Sequence, residues 1–231
     1  MLICGFQKLT LLDYPGKVAC TVFTGGCNYR CPFCHNASLV LRVREQAAVP
    51  EREIFDLLEK RRGLLDGICV SGGEPLLQPG LGDFLGRVRA MGLSVKLDTN
   101  GSLPQTLKDL VGAGLIDYVA MDIKSSPERY PALTGIADTD VSPVLESAAF
   151  LMKGSLPFEF RTTLVKELHA REDMEAIGRW LSGAPAYFLQ SFRDSGDLIG
   201  TGFSAFSNER MQEMLQVVSP FIPNAKLRGI E

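Results

Sequence analysis

An α/β fold in the form of an incomplete (β/α)6 TIM-like barrel follows from three properties of this 231-residue chain. Short runs of apolar and β-branched residues alternate with longer amphipathic runs, the order that βα units produce. About six such units are present, fewer than a closed eight-stranded barrel needs. The length and the 45% hydrophobic content suffice for one sizeable core, because α/β barrels of about 200 to 250 residues fold as single domains.

Residues 1–16 read as an N-terminal extension, and the first strand is expected over 17–23, where Val18-Ala19-Cys20 and Val22-Phe23 supply the apolar run. A helix over 50–62 places Ile54, Leu57 and Leu58 on one face, with Glu51, Arg52, Lys60 and Arg61 elsewhere. Ile68-Cys69-Val70 centres the next strand, 67–71. The helix over 81–91 is stopped by Gly92. Strands at 94–98, 118–122, 159–165 and 186–190 alternate with helices at 103–111, 144–152 and 171–181. Residues 193–231 read as a loop, a helix over 207–218 and a tail. The whole of 1–231 is read as one domain, with no internal repeat, low-complexity tract or long linker.

A net charge of −3, from 24 basic and 27 acidic residues, supplies no electrostatic reason to bind nucleic acid or an anionic membrane. The N-terminus lacks a charged region followed by a sustained apolar run, so no signal peptide is expected. No stretch approaches the roughly 18 apolar residues of a membrane span. Cys4, Cys20 and Cys69 sit among apolar neighbours, where a thiol packs as a small hydrophobe. A cytoplasmic protein is the consistent expectation.

The other three cysteines are clustered. Cys27, Cys31 and Cys34, spaced C-x3-C-x2-C, can hold three irons of a cubane and leave the fourth open to a cofactor or substrate. A structural zinc site is the alternative, but zinc asks for four Cys or His ligands, commonly as two knuckles. Cys31 and Cys34 make one knuckle, and no second pair follows. His35 directly abuts Cys34, and adjacent side chains rarely reach one tetrahedral ion together.

In parallel α/β folds the site lies where the strands end. The first predicted strand runs into Gly25-Gly26-Cys27, and the second ends Ser71-Gly72-Gly73-Glu74-Pro75. Paired glycines there let backbone approach a ligand, although the same residues also suit a simple tight turn. The third strand ends Leu97-Asp98-Thr99-Asn100-Gly101 and the fourth Asp122-Ile123-Lys124. A carboxylate can accept from ribose hydroxyls and a lysine can pair with a carboxylate. Taken singly, Asp-Thr-Asn-Gly is also an ordinary turn and Lys124 an ordinary solvated charge.

Together these motifs resemble the radical S-adenosylmethionine (SAM) superfamily, and more narrowly the activating enzymes of glycyl-radical enzymes. The N-terminal third is most similar to anaerobic ribonucleoside-triphosphate reductase activating proteins, which are related to pyruvate formate-lyase activating enzymes. The resemblance implies a [4Fe–4S] cluster on Cys27, Cys31 and Cys34. It also implies SAM held by Phe33, His35, Gly72, Gly73, Glu74, Asp98, Asp122, Lys124 and Arg161, with the backbone and Glu74 engaging the amino group and Phe33 the adenine. A monovalent cation near Asp98, Thr99 and Asp122 is a further implication. One departure is that pyruvate formate-lyase activating enzymes carry a histidine near the end of the sixth strand, where this chain has Gln190.

The activity implied is reductive cleavage of SAM to methionine and a 5′-deoxyadenosyl radical, which then removes hydrogen from a glycine of a partner enzyme. The protein supplies binding and orientation, and the cofactors supply the chemistry. A flavodoxin-like donor would provide the electron. With no second cysteine cluster, a wide mouth is expected to admit a polypeptide loop, flanked by Arg42, Arg44 and the loop 193–207. The alternatives are a small-molecule enzyme such as a 7-carboxy-7-deazaguanine synthase, and a non-enzymatic metal-binding scaffold.

Overall fold

The computed structural model describes residues 1–230. Its frame is one eight-stranded sheet in sequence order, consisting of β1 (Ile3–Thr10), β2 (Ala19–Thr24), β3 (Gly67–Gly72), β4 (Ser94–Thr99), β5 (Tyr118–Asp122), β6 (Phe158–Leu164), β7 (Tyr187–Ser191) and β8 (Ala225–Arg228). All neighbours pair in parallel except β1, which runs antiparallel to β2 with Ile3 opposite Thr24 and Thr10 opposite Ala19. The six strands expected from sequence form β2 to β7 within two residues at either end.

Between the strands lie α1 (Ala37–Leu41), α2 (Glu51–Lys60), α3 (Leu81–Ala90), α4 (Pro104–Gly112), α5 (Tyr130–Thr134), α6 (Ser142–Lys153), α7 (Arg171–Trp180) and α8 (Asn208–Val218). Each long helix buries one stripe against the sheet, as Ile54 and Leu58 of α2 and Phe84, Leu85 and Val88 of α3 illustrate. Fully burying one such side chain contributes about 1.5 to 3 kcal/mol. The core is continuous, running from Ile3 through Ile68, Val70, Val95, Val119 and Phe160 to Met214 and Ile222.

Two expectations about the termini need correction. The N-terminal extension contains a strand, because residues 3–10 pair with β2 through a ladder interrupted by two register shifts. Only the ends of that strand are buried, so it carries no apolar run. The C-terminal tail contains β8, which joins β7 in parallel although two of its four residues are cations. No pairing joins β1 to β8, so the barrel stays open. Among the described residues, no helix is long and apolar enough to cross a membrane.

Candidate active site

At the C-terminal ends of β2 to β7 the loops enclose a cavity of about 470 Å³. Cys27, Cys31, Phe33, Cys34 and His35 line it from the loop after β2, and Gly72 and Gly73 from the loop after β3. Asp98, Asp122, Lys124 and Arg161 face it from β4, the end of β5 and β6. Twelve residues were expected at the site, and eleven of them line this one space. Glu74 does not.

Glu74 is fully buried behind the wall, where its carboxylate accepts from Leu76 N at 3.0 Å, Thr99 Oγ1 at 2.9 Å and Asn100 N at 2.7 Å. In this structure its oxygens hold the loop after β4 and do not line the cavity. Burial is the largest influence on its proton affinity and, against those hydrogen bonds, pushes the pKa up to about 7.

Backbone contact explains the paired glycines. Gly26 O accepts Glu74 N at 2.8 Å and Thr24 O accepts Gly73 N at 2.9 Å, which draws the two loops together. A Cβ on Gly73 would lie 1.9 Å from Gly26 O, and Gly72 has φ +116, so side chains are excluded at both positions.

The cysteine loop is tied down on its other sides by distant segments. Arg30 N donates to Thr134 O at 2.7 Å, and Arg30 folds back to Cys27 O at 2.6 Å. Gly200 N donates to Pro32 O at 2.7 Å, and the Asp197 carboxylate accepts Ser38 N at 3.0 Å and Arg42 at 2.9 Å. Arg42 and the loop 193–207, expected as partner contacts, thus contact each other, and that loop contacts the cysteine loop. Arg44 is exposed.

A charge network floors the cavity. Arg161 donates through Nε to Asp122 at 2.9 Å and through a terminal nitrogen to Asp98 at 3.3 Å. Lys124 pairs with Asp122 at 3.1 Å, and the buried Lys96 pairs with Asp98. Burial alone would raise Asp122, yet Arg161 and Lys124 hold it well below the usual carboxylate range. Asp98 is likewise lowered, burial being outweighed by Arg161 and Lys96. Three cations thus face two carboxylates, leaving one positive charge in excess that could pair with a ligand's carboxylate.

Sequence reasoning singled out neither Lys96 nor Thr163, Ser191 and Arg228, which join Gln190 and Arg193 in lining the cavity. Lys96 reads as the middle of a buried strand, and Arg228 belongs to the strand that sequence patterning missed. The other histidine, His169, is structural: its Nε2 bonds Lys124 O at 2.9 Å and its ring meets Phe33 edge-on at 6.1 Å.

The fold and the cavity define a cofactor-binding partial α/β barrel with thiol donors at its mouth. The Radical SAM superfamily profile matches residues 21–181. A protein of Methanocaldococcus jannaschii, provisionally named a glycyl-radical enzyme activating enzyme, is 30% identical over 99% of this chain and 96% of its own length. The pyruvate formate-lyase-activating enzyme of Listeria monocytogenes is 30% identical over 78% of this chain and 75% of its own. A solved domain of a pyruvate-formate lyase-activating enzyme from Bacteroides vulgatus superposes with a TM-score of 0.58 at 19% identity, covering 71% of this chain and 99% of that one, and supports the fold. The chain belongs to the Radical SAM superfamily and is an enzyme. Membership implies a [4Fe–4S] cluster and SAM.

The donor set fits such a cluster. Burial pushes the Cys31 thiol up to about 12 and raises Cys27 as well, with the positive charge of Lys124 opposing the shift at both. Thiolates at these positions need bound iron to offset their burial. Among the described residues, no three His, Cys, Asp or Glu side chains converge closely enough to hold a single ion. In a cubane each thiolate binds its own iron, and all three thiols line the one cavity.

Proposed function

We propose that Cys27, Cys31 and Cys34 ligate a [4Fe–4S] cluster, and that SAM lies against it in the cavity to activate a glycyl-radical enzyme. The observation that carries this reading is the convergence of all three thiols and the Asp98–Arg161–Asp122–Lys124 network on one cavity. When bound, the cluster supplies the electron that splits SAM into methionine and a 5′-deoxyadenosyl radical. The residues bind and orient. Phe33 and His35 supply flat surfaces beside the thiols, the backbone at Gly72 and Gly73 admits a close ligand, and Lys124 and Arg161 offer charge to a carboxylate.

A glycine of a partner enzyme is the proposed hydrogen donor, on the strength of similarity to activating enzymes along almost the whole chain. Anaerobic ribonucleoside-triphosphate reductase is the proposed partner, a flavodoxin-like protein the proposed electron donor, and the cytoplasm the proposed setting. Residues 1–231 act as one domain in this reading. A monovalent cation at Asp98, Thr99 and Asp122 has little to support it, because Lys96, Lys124 and Arg161 already surround both carboxylates.

The test is anaerobic reconstitution to about four irons per chain, followed by assay of 5′-deoxyadenosine and by electron paramagnetic resonance (EPR) with candidate partners. A glycyl-radical doublet with the reductase supports the full reading. SAM cleavage without a doublet for any glycyl-radical enzyme removes the activase assignment and leaves the superfamily chemistry. A small-molecule substrate is the second reading, favoured by the polar wall of Thr163, Gln190, Arg193 and Arg228.

A further inference from the structure

We infer that the side chain of Asn100 donates a hydrogen bond to the sulfur of Cys27 and thereby raises the reduction potential of the cluster, an inference that rests on the cluster ligation proposed above. Asn100 is 6% exposed, and its Nδ2 lies 3.8 Å from Cys27 Sγ and 3.0 Å from Asn28 Oδ1. The direction of the amide is dictated by its other end. Asn100 Oδ1 accepts Ser102 N at 2.9 Å, and a backbone N–H can only donate. The oxygen therefore faces Ser102, and the NH2 group faces the sulfur. Its two hydrogens have two acceptors, Asn28 Oδ1 and Cys27 Sγ.

This amide cannot turn freely. Ser102 Oγ lies 2.6 Å from Asn100 Oδ1 and accepts Asn28 Nδ2 at 2.8 Å, closing a ring of three side chains. Asn100 N is held by the buried Glu74 carboxylate at 2.7 Å. The same sulfur also receives Tyr29 N at 3.4 Å. Donors aimed at a ligand sulfur stabilise the more negative, reduced cluster more than the oxidised one. Asn100 is thus a positioning residue acting through Cys27, and its effect belongs in the potential.

Wild type, Asn100→Ala and Asn100→Asp should be reconstituted and poised at one potential, with the reduced cluster counted by EPR before SAM is added. Loss of one donor should lower the reduced-to-oxidised ratio about threefold to tenfold in Asn100→Ala, and more in Asn100→Asp, where an oxygen replaces the donor. Equal ratios at equal iron content in all three proteins would overturn the inference. Should either variant lose its iron, wild type labelled with 15N only in asparagine side chains serves instead. Its reduced cluster should show a 15N hyperfine coupling, alongside the backbone coupling seen with 15N-tyrosine as the positive control. A tyrosine coupling without an asparagine coupling would overturn the inference. Failure of wild type to take up iron at all would instead remove the cofactor reading beneath it.

Discussion

Glu74 accepts the backbone N–H of Asn100 at 2.7 Å from a fully buried position. The Gly-Gly-Glu-Pro turn and the Asp-Thr-Asn-Gly turn are therefore one unit, and a change in either is felt by the cysteine loop that both contact.

That carboxylate should make stability depend on pH. Its pKa is raised from 4.5 to about 7, so between those values the native protein holds more protons than the unfolded chain. The group's contribution is full below pH 4.5 and is lost as pH rises through about 7, with an upper limit of about 3 kcal/mol. Glu74→Gln, which mimics the protonated acid, should flatten this dependence. Denaturant unfolding of the cluster-free protein from about pH 5 to 8 is the measurement, and an unchanged slope in the variant would count against the assignment.

The cysteines divide into two classes. Cys31→Ala should abolish both iron retention and 5′-deoxyadenosine formation, whereas Cys69→Ala should leave both in place. Cys69 is buried inside the sheet with Lys96 Nζ at 3.7 Å, away from the mouth. Iron loss in the Cys69 variant would show that the ligands are misassigned.

Glycine substitutions should separate close approach from helix propensity. Gly73→Ala forces a methyl group to within 1.9 Å of Gly26 O and should cost at least about 3 kcal/mol, with loss of SAM binding. Gly112→Ala, at the end of α4 with no atom within 4 Å of the new carbon, should be neutral or stabilising by about 0.5 kcal/mol. Thermal unfolding and SAM titration read both.

Asp197→Ala removes the acceptor for Ser38 N and for Arg42. Amide exchange should rise about tenfold or more across residues 35–42, and the cluster should be lost faster in air. Exchange confined to the 193–207 loop would show that the strap does not hold the cysteine loop.

Much of the frame was legible because buried parallel strands are continuous apolar runs, and Ile68-Cys69-Val70 has no other plausible place. The first strand escaped because an antiparallel edge buries only its ends, and the last because four residues with two cations carry no periodic signal. The thiols and strand-end charges were readable as motifs of recognised spacing. Their orientation was not. Glu74 stands in the right turn but faces inward, and Asn100 looked like a turn former until the fold brought its amide to Cys27. Such contacts join residues 26 and 73 positions apart, and no local pattern encodes them.

The ties on the cysteine loop also set an order of assembly. The thiols precede their ties in the chain, for the loop is fixed by Asn100, by Thr134 and finally by Asp197 and Gly200. A nascent chain that has not yet reached Asp197 would present its cysteines on a segment that lacks its last ties. Stable cluster retention should therefore follow synthesis of residues 197–200, and a product truncated before them would compete for iron without keeping it.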